Sequence, residues 1–345
     1  MKTLNVELGD RSYPIFIGRD ELQPLLERIH GFAGGIPPVT ITTPRVQRFC
    51  LSQLKKSGPR ELFLKRIIVA DGERNKTLKT VQTIYSKLLR LKADRRTTLI
   101  LVGGGVLGDL AGYAAATYLR GVPYIQIPTT LIAQVDSSIG GKVGVDLPEG
   151  KNLVGTFYQP RMVGIDVSLL KTLPPREFLA GLGEVIKCGL VRDPQLFQLV
   201  FQREKSDLEE TVFRAAQIKA TIVSQDEKET KGLRRILNFG HTYGHALERL
   251  TGYRRYLHGE AVAIGMVLAA ELSSKVGLCP QGLAQELKER IQSLGLPVKP
   301  PHFSKQKWLE SIVVDKKSER GMIHFVFLED VGKVVVKPID PRELL

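Results

Sequence analysis

Cysteine is scarce in this chain: Cys50, Cys188 and Cys279 are odd in number, far apart and never in a CxxC pair. That excludes a disulfide framework and a thiolate metal site, and it fits a reducing cytoplasm. Long apolar runs are lacking as well. The longest, Ala261 to Ala270, falls well short of the roughly 20 residues that a membrane span requires. The opening MKTLNVELGD alternates polar and apolar residues, so neither a signal peptide nor a transmembrane helix is expected. No repeat of solenoid length and no low-complexity tract occurs.

Charge is plentiful but unpatterned. There are 50 Lys and Arg against 36 Asp and Glu, a net +14, yet the basic residues are spread out, without a basic tail or interleaved aromatics. That argues against nucleic acid as a partner. A small polyanionic substrate drawn into a positively lined cleft suits the surplus better. At 345 residues, 43% of them hydrophobic, the chain has length for about two domains.

Two patterns divide it. Up to about residue 170, the β-rich runs TLNVEL, YPIFI, VTITT, RIIVA, TTLILV, YIQIP and MVGID alternate with helical stretches. Alternation of this kind predicts an α/β domain with a Rossmann-like, mainly parallel sheet. Asp20 and Thr43 read as helix N-caps, and Pro44 opens a helix through PRVQRFCLSQLKK that stops before Gly58. After Pro174 and Pro175 come long periodic helices, then GMIHFVFLED and GKVVVKPI as a small hairpin. The expected domains are therefore 1–174, α/β, and 175–345, mainly α-helical.

TTLILVGGGVLGDLAG sets a strand before Gly103, Gly105 and Gly108 in GxGxxG spacing, then a helix. Glycines there let backbone amides and a helix N-terminus approach a pyrophosphate. The loop follows a late strand, however, and the next strand ends in Pro128 with no acidic residue, so this is no standard dinucleotide fingerprint. DGERNK, Asp71 to Lys76, follows another strand end and offers Glu73 to ribose hydroxyls and Lys76 to phosphate, and IPTT at 127–130, a third strand end, points to a shared site. Between the two halves lies QVDSSIGGKVGVDLPEGKNLVGTFYQP, long and glycine-rich for a connection yet carrying Asp136, Lys142, Lys151 and Asn152. Connections of that length usually carry function.

Three of the six histidines cluster: His241 and His245 in NFGHTYGHA and His258 in LHGEA. Residues four apart on a helix project from one face, so one cation could reach both imidazoles. His258 opens the apolar run AVAIGMVLAAEL, which reads as an antiparallel partner helix returning a third. Imidazole suits zinc and its first-row neighbours.

GGGVLGDLAG, IPTTLIAQVDSSIGGK, GKNLVGTFYQP, LKTLPPREFLAGLGEVIK and LNFGHTYGHALE through LHGEAVAIGM resemble the 3-dehydroquinate synthase family over most of the chain. The resemblance implies a dehydroquinate synthase-like fold and conversion of 3-deoxy-D-arabino-heptulosonate 7-phosphate to 3-dehydroquinate plus phosphate. It implies a divalent metal, Zn or Co, held by Glu184, His241 and His258, with His245 contacting substrate or transferring protons. For NAD it implies Asp71, Gly72, Glu73, Arg74, Asn75 and Lys76, then Gly105, Val106, Leu107, Gly108 and Asp109. Thr129, Thr130, Lys142 and Lys151 also belong to that set, with Leu169, Leu170, Lys171 and Thr172 near the adenosine end. For the substrate it implies Asp136, Lys142, Asn152, Lys187, Lys219, Arg234, Asn238 and Lys316 or Lys317, with Lys151 and His245 as proton relays. Arg120 would reach the phosphate site of a neighbouring subunit in a homodimer. The chain departs from the family pattern at GLGE, where GLAE is commoner, at VGVD after GGK, and at Lys231, which lengthens the loop before Arg234. Two other readings share much of this pattern: another sugar phosphate cyclase, such as one resembling 2-deoxy-scyllo-inosose synthase, and a metal-dependent alcohol dehydrogenase.

Overall fold

Runs of Val, Ile and Leu make strands that must be covered on both faces, and the first half of the chain supplies helices for each. The computed structural model describes residues 1–202, 207–315 and 321–345. Nine strands come first: β1 (Lys2–Val6), β2 (Tyr13–Gly18), β3 (Val39–Thr42), β4 (Lys65–Ile68), β5 (Leu99–Gly103), β6 (Tyr124–Pro128), β7 (Lys142–Leu147), β8 (Gly150–Phe157) and β9 (Met162–Asp166). Seven share one sheet in the order β1-β2-β9-β6-β5-β3-β4. All its pairings are parallel except β1 on β2. The chain steps from β3 outward to β4, then back to β5 on the other side of β3. That reversal is the switch point at which open α/β sheets bind ligands.

Alternate residues of a strand face opposite sides. Leu99 and Leu101 enter one core with Ile84 and Leu88 of α4 (Leu78–Arg90) and Ala111 and Ala114 of α5 (Gly105–Thr117). Ile100 and Val102 enter the other with Leu25 and Leu26 of α1 (Leu22–Ala33) and Leu51 and Leu54 of α3 (Leu51–Ser57). Each such fully buried Val, Leu or Ile side chain contributes about 1.5–3 kcal/mol.

Local differences from the sequence reading have identifiable causes. Thr43 does cap α2 (Pro44–Phe49), accepting from Val46 N at 3.4 Å. Asp20 does not cap α1: Glu21 holds the N-cap position, without a side-chain bond. The buried Asp166 carboxylate at the end of β9 instead accepts from the amides of Asp20 and Glu21, at 3.1 and 2.7 Å. The helix predicted through residue 57 breaks at Cys50 into α2 and α3. The glycine-rich connection is a π-helical turn, Ala133–Ser137, followed by the antiparallel β7–β8 hairpin. There Gly144 sits opposite Gly155, and two missing side chains erase the alternation that announces strands.

The chain forms two units, residues 1–173 with 208–228 and residues 174–207 with 229–345. α6 (Pro175–Arg192) and α7 (Pro194–Phe201) belong to the second, but α8 (Leu208–Gln225) returns to the first. It packs on β1 and β2, and its Ser224 Oγ accepts from Glu7 N at 2.8 Å. The periodicity of α8 marks its apolar face but not the core that receives it.

In the second unit follow α9 (His241–Leu250), α10 (His258–Lys275), α11 (Leu283–Ser293), α12 (Lys305–Asp315) and the hairpin β10 (Ile323–Asp330) with β11 (Lys333–Ile339). α10 is buried on nearly all sides, as expected of a helix apolar all round. Its glycines let neighbours approach backbone to backbone. A Cβ on Gly259 would stand 1.7 Å from Ala180 O of α6, and one on Gly265 would stand 2.0 Å from Gly240 O, beside α9. Gly244 meets Ala261 in the same way, so α9 and α10 run antiparallel. Among the described residues, no helix is long and apolar enough to cross a membrane.

Candidate metal and nucleotide sites

The close helix contacts of the second unit gather one carboxylate and three imidazoles. Glu184 is buried on α6; its Oε1 lies 3.7 Å from His241 Nε2 at the start of α9 and 3.5 Å from His258 Nε2 at the start of α10. His245 stands one turn beyond His241, and the three histidines present nitrogens all within 4.8 Å of one another. Glu184 Oε1 is buried without a hydrogen-bond partner among the described residues. A buried carboxylate oxygen left in that state needs a compensating positive group.

The outer contacts choose which nitrogens face inward. His241 Nδ1 lies 3.2 Å from Phe239 O, and His258 Nδ1 lies 3.1 Å from Glu248 Oε2. Carbonyl and carboxylate oxygens only accept, so each Nδ1 carries the proton and each Nε2 is turned toward Glu184. Ligating histidines are oriented in this way. The Glu184 Oε2 atom takes Lys187 Nζ, itself buried.

Charge states follow from these neighbours. Burial opposes ionisation of Glu184, but Lys187 and the two imidazoles outweigh it and hold the carboxyl well below its ordinary range. Burial and then Lys187 keep His241 well below the usual 6.5. Burial also works against a charged His258, yet Glu184 and Glu248 together raise it to about 10. The first turn of α10 is tied down by Glu260, which accepts from Leu257 N at 2.8 Å and from Arg176 Nε and Nη2 at 2.7 and 2.8 Å. Glu248, Arg176 and Glu260 are absent from the sequence-derived set. Glu248 had a signal, since it lies seven residues after His241 on the same face of α9.

The nucleotide set lies in the first unit. Gly103 ends β5 and Gly105 opens α5 at the switch point. A Cβ on Gly105 would lie 2.6 Å from Ser137 Oγ, and one on Gly104 would lie 2.9 Å from Thr130 Cγ2, so only glycines leave the helix N-terminus open. Thr129 N donates to Gly103 O at 3.0 Å, joining two strand ends. In the turn after β4, Gly72 has φ +93, and Asn75 Nδ2 donates to Asp71 O at 2.6 Å. Glu73 pairs with Lys151 at 3.4 Å, while Arg74 is exposed.

Lys76 points inward. It is buried, and its Nζ lies 2.5 Å from both Asp109 Oδ2 and Asn152 Oδ1. Burial raises Asp109 to about 6 against the pull of Lys76; burial works against the Lys76 ammonium too, but attraction from Asp109 raises it overall. Lys76 thereby joins Asp109 of the expected nucleotide set to Asn152 of the expected substrate set. Val106 is partly buried, Leu107, Gly108, Leu169 and Leu170 are buried, and Lys171 is exposed. Thr172 Oγ1 donates to Leu169 O at 2.9 Å.

The substrate candidates divide between the units. In the first, Lys219 Nζ on α8 lies 2.5 Å from Asp136 Oδ1 in the π-helical turn, and Lys142 is exposed at the start of β7. Arg120 is exposed beside Leu119, with φ +66 and +50, and makes no ion pair among the described residues. In the second, Arg234 is buried with Nε 3.3 Å from Glu229 Oε1, and Asn238 ends the same 3-10 turn. Lys316 and Lys317 lie outside the described residues.

A switch-point glycine loop in a Rossmann-like unit, and a histidine–carboxylate cluster in a helical one, define a dehydroquinate synthase-like fold. A 2-deoxy-scyllo-inosose synthase solved with carbaglucose-6-phosphate, NAD+ and Co2+ superposes with TM-score 0.86 at 27% identity, covering 99% of this chain and 98% of that one. The 2-epi-5-epi-valiolone synthase of Streptomyces hygroscopicus, with NAD+ and Zn2+ bound, gives 0.86 and 27% over 98% and 96%. NADH-dependent butanol dehydrogenase A of Thermotoga maritima, at 15% identity, TM-score 0.64 and coverage of 91% and 90%, shares the fold alone. The model of the 3-dehydroquinate synthase N-terminal region matches residues 66–180, and that of its C-terminal region matches residues 181–318. The 3-dehydroquinate synthases of Syntrophotalea carbinolica and Pelobacter propionicus are 45% and 44% identical over all of this chain and 97% and 98% of their own. The chain belongs to the 3-dehydroquinate synthase family.

Proposed function

We propose that the chain converts 3-deoxy-D-arabino-heptulosonate 7-phosphate to 3-dehydroquinate and phosphate, as a phosphate-eliminating lyase dependent on NAD and a divalent metal, Zn or Co. The observation that carries this reading, beside family membership, is the convergence of Glu184 Oε1 on the Nε2 atoms of His241 and His258. Two imidazoles and one carboxylate suit zinc and leave coordination positions open, as catalytic sites do. The glycine cradle at Gly104 and Gly105 fits a pyrophosphate. NAD, when bound, supplies a transient hydride acceptor at the C5 hydroxyl, and the metal supplies a Lewis acid and template.

The remaining work falls to the chain. Lys219, Lys187 and Arg234 provide positive charge for a substrate bearing a carboxylate and a phosphate, and Asp136 holds Lys219 in place. His245, with its ring centroid 5.2 Å from that of His241 and 5.7 Å from that of His258, and Lys151 move protons as the C6 hydrogen is lost and phosphate leaves by β-elimination. With the hydride returned to C5, ring opening and an intramolecular aldol close the carbocycle, which requires positioning above all. Arg120, on its strained turn, serves the phosphate site of a partner in a cytoplasmic homodimer.

The test is phosphate release from 3-deoxy-D-arabino-heptulosonate 7-phosphate with catalytic NAD, assayed beside glucose 6-phosphate. Release from the former without accumulating NADH is expected. Release only from glucose 6-phosphate would indicate a different cyclase, and NADH formed in proportion to product would indicate a dehydrogenase.

A further inference from the structure

The β7–β8 hairpin is irregular next to its turn. Leu147 pairs with Gly150 and Val145 with Val154, so one residue of β7, Asp146, stands opposite three of β8, Lys151, Asn152 and Leu153. A bulge of this kind takes backbone groups out of the ladder and re-aims a side chain. Asn152, at its centre, has φ +55, in the left-handed region that asparagine enters more readily than most residues. Its amide finds another partner: Asn152 N donates to Asp146 Oδ1 at 2.8 Å.

Asp146 also reaches the turn after β4. Its own amide donates to Lys76 O at 2.8 Å, and the residue bridges to Thr77 in parallel. Lys76 Nζ in turn lies 2.5 Å from Asn152 Oδ1. The three residues therefore close a ring, in which Asp146 holds the backbones of Lys76 and Asn152 while those two meet through their side chains. An ammonium only donates, so the Asn152 oxygen faces Lys76 and its NH2 group is turned away. Asn152 is exposed, which leaves that NH2 group accessible as a donor.

Asp146 belongs to neither the expected nucleotide set nor the expected substrate set. We propose that it is a positioning residue, which holds Asn152 in the left-handed turn so that its NH2 group is presented to an oxygen of the sugar phosphate. This rests on the reading of Asn152 as a substrate contact in the proposed reaction. The carboxylate does not touch the substrate; it acts through Asn152.

Two substitutions separate that role from a general structural one. Asp146→Ala removes the acceptor, whereas Asp146→Asn keeps one in its side-chain oxygen. With 3-deoxy-D-arabino-heptulosonate 7-phosphate, NAD and zinc, kcat/KM should fall about tenfold or more in Asp146→Ala and return to within about threefold in Asp146→Asn. NAD affinity, by calorimetry, should stay within about threefold of the parent, because Lys76 O is held by a backbone amide that both variants retain. In Asn152→Gly, whose glycine takes a positive φ without cost, adding Asp146→Ala should lower kcat/KM by less than about twofold more. Additive losses in the double variant, an equal loss of NAD affinity, or no rescue by Asp146→Asn overturns the proposal. Hydrogen exchange over residues 148–157 needs no substrate: the Asn152 amide should exchange about tenfold faster or more in Asp146→Ala. Unchanged exchange overturns the role of Asp146, whereas a parent chain without turnover overturns the proposed reaction alone.

Discussion

His258 Nδ1 donates to Glu248 Oε2 across 3.1 Å, from the first turn of α10 to the last turn of α9. The bond aims Nε2 at Glu184 and links two helices that each carry a candidate metal ligand. Removing such an outer partner typically costs 10–100-fold in metal affinity. Glu248→Ala should therefore weaken zinc binding by about that factor in competition with a chromogenic chelator, and an affinity within twofold of the parent would deny Glu248 this role.

The proposed direct ligands should matter more. Glu184→Ala and His258→Ala are expected to retain no stoichiometric metal after dialysis, measured by elemental analysis, and to lose turnover. Full metal content in either variant removes that residue from the set.

Proton competition gives the cluster a pH dependence. Without metal, the folded chain holds His258 at about 10, against an ordinary 6.5. A raised value means the fold favours the charged form: this contribution to stability is complete below 6.5 and is lost as pH rises through about 10. A metal must displace the same proton, so its affinity should climb with pH across this window. Cobalt titrations at about pH 7 and 9, with proton release followed in weak buffer, check both statements; an affinity independent of pH contradicts them.

Lys76 is 3% exposed and relies on Asp109 and Asn152. Asp109→Ala leaves a buried ammonium with one neutral partner, at a cost of about 3 kcal/mol. Urea unfolding measures the loss. NAD affinity, measured by calorimetry, should fall as well, because Lys76 ties the turn after β4 to the start of α5.

Gly259→Ala would place a methyl 1.7 Å from Ala180 O, where neither backbone can yield cheaply. Overpacking of that kind costs about 3 kcal/mol or more, and it should separate α6 from α10 and so dissolve the metal cluster. Gly31→Ala in α1, with nothing within 4 Å of the added methyl, is the control and should stabilise by up to about 1 kcal/mol. Melting temperatures and metal content read both variants.

Much of this was legible from residues alone. Strand runs of Val, Ile and Leu set the parallel sheet, because alternate side chains of a buried strand must all be apolar. His241 and His245 share a helix face by spacing, and the glycines after β5 mark an open helix N-terminus. Family motifs added Glu184, which spacing could not connect to histidines so far along the chain.

Tertiary structure decided the rest, because it depends on which surfaces meet. Asp166, from another strand, holds the turn that leads into α1, and α8 joins the first unit although its own period is silent on its destination. Lys76 turns inward to Asp109 and Asn152 rather than standing out in a loop. Glu248 becomes an orienting group only where α10 lies against α9. The histidine cluster is thus encoded twice: helical spacing puts His241 and His245 on one face, and glycine contacts between backbones bring Glu184 and His258 within reach.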